Sequence, residues 1–182
     1  MTPTASLVRN RRPGQLPGEE APRPARVPAL APPGALLKRL LIGFWAMYFT
    51  LVAVTNAVDL LGELGALHWR FLNSGNFAYM SSIVQVYDVG ATPTKLLLAG
   101  ALAVEAVGAL LCWRALLRPS TRRALQAVCW SALVWIAFVF MTELFVAYTS
   151  ESPFRELLML AIGTGLVIAL VPDDAGGRPP AG

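Results

Sequence analysis

Residues 96–117, LLLAGALAVEAVGALLCWRALL, decide what kind of protein this is. Within that run only Glu105 and Arg114 carry charge, and its length matches the roughly 20 residues that carry a helix across a hydrocarbon core about 30 Å thick. A soluble amphipathic helix would interrupt the apolar residues with a polar stripe at every turn. Three similar runs lie around it, at residues 40–61, 124–148 and 154–171. The 182-residue chain is 55% hydrophobic and only 14% charged, with a mean hydropathy of +0.56. A soluble domain usually has about a quarter of its residues charged. These features predict an all-α fold: an integral membrane four-helix bundle, with a transmembrane domain over residues 35–172 and lipid as its solvent.

The basic residues flank the apolar runs. Seven precede or open the first run (Arg9, Arg11, Arg12, Arg23, Arg26, Lys38, Arg39) and four surround the turn between the second and third (Arg114, Arg118, Arg122, Arg123). The opposite side holds Arg70, Lys95 and Arg155. The positive-inside rule then puts the N-terminus and the second loop in the cytoplasm, and four crossings return the C-terminus to the same side. The expected location is a bacterial-type cytoplasmic membrane. A net charge of +4 could suggest nucleic acid, but such binding needs basic residues gathered on one folded face with reading side chains, so nucleic acid is excluded as a partner.

Residues 1–34 are rich in Pro, Arg, Gly and Ala and can bury no core, so they are expected to form a disordered cytoplasmic tail, as are residues 173–182. The first apolar run is too long for the core of a typical signal peptide. The external segment, residues 62–95, is not featureless. Phe77, Met80, Val84 and Tyr87 recur at helical spacing over residues 76–88, with Ser81, Ser82, Gln85 and Asp88 elsewhere on the wheel. That pattern predicts a short amphipathic helix lying on the outer surface or capping the bundle. Trp69 before it reads as an interfacial anchor, and His68 as a surface residue. Cys112 and Cys129 sit nearly symmetrically about the turn at Pro119 and Ser120, on a reducing side where a structural disulfide is disfavoured. Both read as small packing residues.

Three carboxylates need explaining. Asp59 lies near the outer end of span one, Glu105 near the middle of span two and Glu143 in the outer half of span three. A charged acid at a helix centre costs about 2.5 to 3.5 kcal/mol on insertion scales, so each should be neutralised, paired or wetted. Glu105 is the hardest case: at about 1.5 Å per residue it sits roughly 13 Å below the outer boundary. Asn56, Asp59 and Glu63 follow one another at helical spacing on span one. The small residues Ala101, Gly108 or Ala109 and Cys112 on span two, and Ala161, Gly165 and Ala169 on span four, let neighbouring backbones approach closely. The candidate polar cluster is therefore Asn56, Asp59, Glu105 and Glu143, beneath an external helix carrying Asn76 and Asp88. Lys95 and Arg155 are the nearby cations, and Asn56, Thr55, Thr142 and Trp N–H groups the nearby donors. The competing role for these groups is interhelical glue, at about 0.6 and at most about 2 kcal/mol each.

No G-x-S-x-G, H-E-x-x-H, phosphate-binding loop or paired C-x-x-C occurs, so no catalytic or metal-binding residue is assigned and no cofactor is named. The expected function is a non-enzymatic binding or accessory component with an acidic, polar pocket in its outer half. Its partners would be the lipid bilayer and, as a candidate, another membrane subunit. A proton- or cation-translocating element using the intramembrane acids is one alternative, and a membrane enzyme acting on lipid or quinone is the other. Several motifs resemble a family of small four-span bacterial integral membrane proteins known as a conserved domain of unknown function: Asn56-Ala57-Val58-Asp59, Asn76-Phe77-Ala78-Tyr79 leading through Val84-Gln85-Val86 to Asp88, Glu105-Ala106, Leu111-Cys112-Trp113-Arg114 and Phe154-Arg155. The resemblance runs from about Leu37 to Asp174. It implies the four-span architecture and no activity. A weaker similarity to four-span DoxX-type proteins, which also place a glutamate in a Gly- and Ala-rich second span, implies a redox accessory role.

Overall fold

The computed structural model describes residues 32–67, 71–148 and 151–172. Among them the chain is all helical, in the order α1 (Pro33–Glu63), α2 (Asn76–Val84), α3 (Ala91–Leu117), α4 (Thr121–Leu144) and α5 (Glu151–Leu170), with a 3₁₀ turn at Gln85–Tyr87 after α2. The four long helices are each long and apolar enough to cross a membrane, which suggests a multi-pass membrane protein. They begin three to seven residues before the apolar runs, because helices are fixed by their breakers rather than by hydropathy. Pro33 occupies the first turn of α1, where its missing N–H costs nothing, so residues 33 and 34 belong to the helix and not to the tail. At the other boundary α4 stops at Leu144, four residues short of its run, and Val146 turns the chain with φ 56°. The expected roles of His68 and Trp69 and the disorder of residues 1–31 and 173–182 lie outside the described residues.

α1 packs mainly on α3 and α4 on α5, with α3 also against α4. Gly108 makes the first pairing possible: a Cβ there would meet the Phe49 ring at 3.1 Å. A ladder of rings ties the two pairs together. Phe49 stacks on Trp135 at 5.9 Å, and Trp135 stacks in turn on Phe154 at 6.3 Å, each such pair contributing about 0.5–1.5 kcal/mol beyond simple burial. Trp45 Nε1 donates to Thr164 Oγ1 at 3.1 Å, joining α1 to α5. Trp135 Nε1 is the one buried side-chain polar atom without a hydrogen-bond partner among the described residues.

The outward faces are apolar. Leu110 is 70%, Phe140 70% and Leu170 76% exposed, and such residues recur on every long helix, far beyond the patch a soluble monomer tolerates. Cys129 and Ala169 also face outward. They correct the expectation that both cysteines and the whole Ala161, Gly165, Ala169 stripe pack inside; Cys112 and Ala161 are buried as expected. With helices apolar all round, hydropathy could not say which side turns in.

Candidate functional site: a buried polar chain beside an apolar cavity

Asn56 and Asp59, one turn apart on α1, are both buried where α1 meets α3 and the start of α2. Glu105 faces them from α3, only 3% exposed. Its Oε2 accepts a hydrogen bond from Asn56 Nδ2 at 2.7 Å. Asn56 Oδ1 in turn accepts from Asn76 Nδ2 at the start of α2. The carboxamide of Asn56 thus links an acid in the middle of α3 to the start of α2.

Asp59 has a different task. Its Oδ2 accepts from the Phe77 backbone N–H at 2.7 Å and, at 3.4 Å, from the Ser74 hydroxyl. Gly75, the residue at the N-cap of α2, has φ 69° and no side chain to offer, so the carboxylate from α1 supplies the missing cap. Both the opening N–H groups and the positive end of the helix dipole favour an anion there. The other end of α2 is held by the Tyr87 hydroxyl, which donates to Leu144 O at 2.7 Å, while the Tyr87 ring meets Phe145 edge-on. α2 therefore lies clamped across the end of the bundle, with Val84 buried.

Of the eight candidate residues the structure brings together four: Asn56, Asp59, Asn76 and Glu105. Glu143 is exposed near the end of α4 and has no hydrogen bond to the cluster. Asp88 is exposed and ends the 3₁₀ turn with φ 52°, a backbone role that Asp tolerates better than most residues. Lys95 donates to Glu63 O at 2.6 Å and lies 5.9 Å over the Phe77 ring. Arg155 pairs with Glu151 one turn earlier at 3.3 Å. The other expected donors are engaged elsewhere: Thr55 with Val52 O, Thr142 with Val139 O, Trp113 with Thr50 and Trp130 with Val104 O. No group of three or more His, Cys, Asp or Glu among the described residues could hold a metal ion.

The sequence reading missed the cavity. About 460 Å³ lies open between α2, α3 and α4. Met80 and Ile83 line it from α2, Ala101 and Val104 from α3, and Ala137 and Phe138 from α4. None of the four clustered polar residues lines it, so this cavity is apolar and its lining does not include the acids. Tyr79 is among its lining residues, and the Tyr79 hydroxyl has no hydrogen-bond partner among the described residues. No pattern along the chain announced it: Gly100 lines it, but a Cβ at Gly43 or Gly163, which do not, would likewise meet nothing within 4 Å. Compared with models of protein families, with curated proteins and with solved structures, the chain matches none of them. The two resemblances drawn from its motifs therefore carry no function forward.

Proposed function

We propose that this chain is a multi-pass integral membrane protein, with its basic end in the cytoplasm, that acts as a non-enzymatic binding component. It holds a lipophilic molecule of about quinone size between α2, α3 and α4. The cavity carries this reading: at about 460 Å³ it falls within the roughly 300–1,000 Å³ of small-molecule sites, which are mostly apolar with a few orienting polar groups. Tyr79 supplies one such group, suited to a carbonyl or ether oxygen on an otherwise apolar body. The buried acids support the same reading, because Asp59 and the chain from Glu105 through Asn56 to Asn76 hold the α2 wall in place. A proton relay draws less support: Glu105 is hydrogen-bonded to an amide, not to Asp59 or Glu143.

Extraction from native membrane under mild conditions, followed by mass spectrometry, tests this. A lipophilic molecule should be retained stoichiometrically. Gly100→Leu and Ala137→Phe should displace it while the protein stays helical and monodisperse in detergent, and Tyr79→Phe should weaken retention by up to about tenfold, one neutral hydrogen bond. Occupancy unchanged by filling the cavity, or no molecule beyond bulk lipid, would overturn the reading.

A further inference from the structure

The cavity between α2, α3 and α4 is roofed at one end and bare on one side. Met80, Ile83 and the buried Val84 of α2 form the roof, and the hydrogen bonds of Asp59 and Tyr87 hold it in place. On the outward side, Leu96 is 69% and Leu133 60% exposed, and Gly100 and Ala137 are exposed as well. Gly100 lies 17 residues before Leu117, where α3 ends, and Ala137 lies 16 residues after Thr121, where α4 begins. At about 1.5 Å per residue the two stand level to within about 2 Å. Two small residues thus occupy the middle of the opening, with Leu96 one turn toward α2 on one rim and Leu133 one turn away from it on the other. These rims continue the apolar outward faces of α3 and α4, which meet acyl chains in the membrane placement proposed above.

The chemistry of the lining narrows the occupant. Among the described residues that form it, none is Asp, Glu, Lys or Arg. The Trp130 N–H donates to Val104 O at 2.9 Å and the Thr142 hydroxyl to Val139 O at 2.7 Å, which leaves the Tyr79 hydroxyl beside the roof. An ionised head would lose its water there without a counter-charge, at a cost of several kcal/mol. An uncharged head with one oxygen for Tyr79 avoids that cost, and a chain too long for the cavity can leave by the side without crossing a polar group.

We infer that the gap between Gly100 and Ala137 is a lateral mouth that admits an uncharged long-chain lipid from the bilayer, its head at Tyr79 and its chain trailing outside. This rests on the cavity reading above and adds the route, the head and the chain. The full chain in phosphatidylcholine vesicles is photolabelled with trace amounts of a long-chain alcohol carrying a diazirine at the end of its chain, or with the matching alkyl phosphate. Unlabelled alcohol competes, and the labelled residues are found by mass spectrometry. Competable labelling by the alcohol should fall outside the lining, on Ala103, Val107 or Cys129, and should exceed that by the phosphate at least about tenfold. Leu96→Trp with Leu133→Trp narrows the mouth from exposed positions and should cut it several-fold, whereas Leu110→Trp, exposed elsewhere on α3, should leave it unchanged. Equal labelling by the two probes, competable label confined to Val104 and Trp130, or rim variants without effect would each overturn the mouth and leave the cavity reading standing. No competable labelling, in a protein that still retains a lipophilic molecule stoichiometrically, would do the same; loss of both would end both.

Discussion

Asn56 has a side chain with two chemically opposite ends, and both are used: the amide nitrogen donates to Glu105 and the oxygen accepts from Asn76. Leucine at that position is close in volume but leaves a carboxylate and an amide unpaired in an apolar setting. Asn56→Leu should therefore destabilise the protein by about 1–3 kcal/mol, read as the unfolding midpoint in mixed micelles. Glu105 offers a finer comparison. Glu105→Gln keeps an oxygen for Asn56 Nδ2 and should shift that midpoint little, whereas Glu105→Leu should behave like Asn56→Leu. If the leucine variants match the parent, the hydrogen bonds contribute nothing and the cluster needs another explanation. The types and spacing of Asn56, Asp59 and Glu105 were legible in the sequence. That Asn76 completes the chain was not, since its amide arrives from a separate helix and no local pattern encodes the meeting.

At the scale of elements, α2 shows how a short helix is made stable by its neighbours. Nine residues are too few to hold together alone, and Gly75 gives α2 no cap of its own. Asp59→Ala should cost about 0.5–2 kcal/mol, the usual value of an N-cap. Its loss should be confined: backbone amides of α2 should exchange with deuterium faster while those in the middle of the four long helices keep their protection. Uniformly faster exchange would show that Asp59 supports the whole bundle instead. The period of Phe77, Met80 and Val84 predicted this helix, though with its regular part ending at Val84 and a tighter turn following. The ring ladder supplies a second comparison between elements. Trp45→Phe leaves Thr164 without its indole partner, whereas Trp135→Phe removes a donor that has no acceptor. Trp135→Phe should therefore lower the midpoint less than Trp45→Phe, although both lose ring area.

For the molecule as a whole, closure depends on a glycine. A Cβ on Gly34 would lie 2.6 Å from Pro172 O and 2.9 Å from Val171 Cγ1, so the start of α1 and the end of α5 can touch only because none is there. Gly34→Ala should force the two ends apart and cost about 1–3 kcal/mol, as overpacking does. Gly43→Ala is the control: its Cβ would meet nothing within 4 Å, and better helix propensity makes it neutral or stabilising by up to about 1 kcal/mol. Thermal midpoints of the two variants moving together would contradict this account of the closure.

What the sequence by itself determined is the number of long helices, their approximate lengths and the concentration of basic residues at one end. Hydropathy and charge are sums over neighbouring residues, and they need no fold to be read. Tertiary structure alone decided that Glu105 meets Asn56, that Glu143 and Cys129 turn outward, and that space opens between α2, α3 and α4. Each of these depends on how far a helix is rotated about its own axis. In helices that are apolar on every side, that rotation is set by ring stacking and by close approach at residues such as Gly108 and Gly34, not by any pattern along the chain.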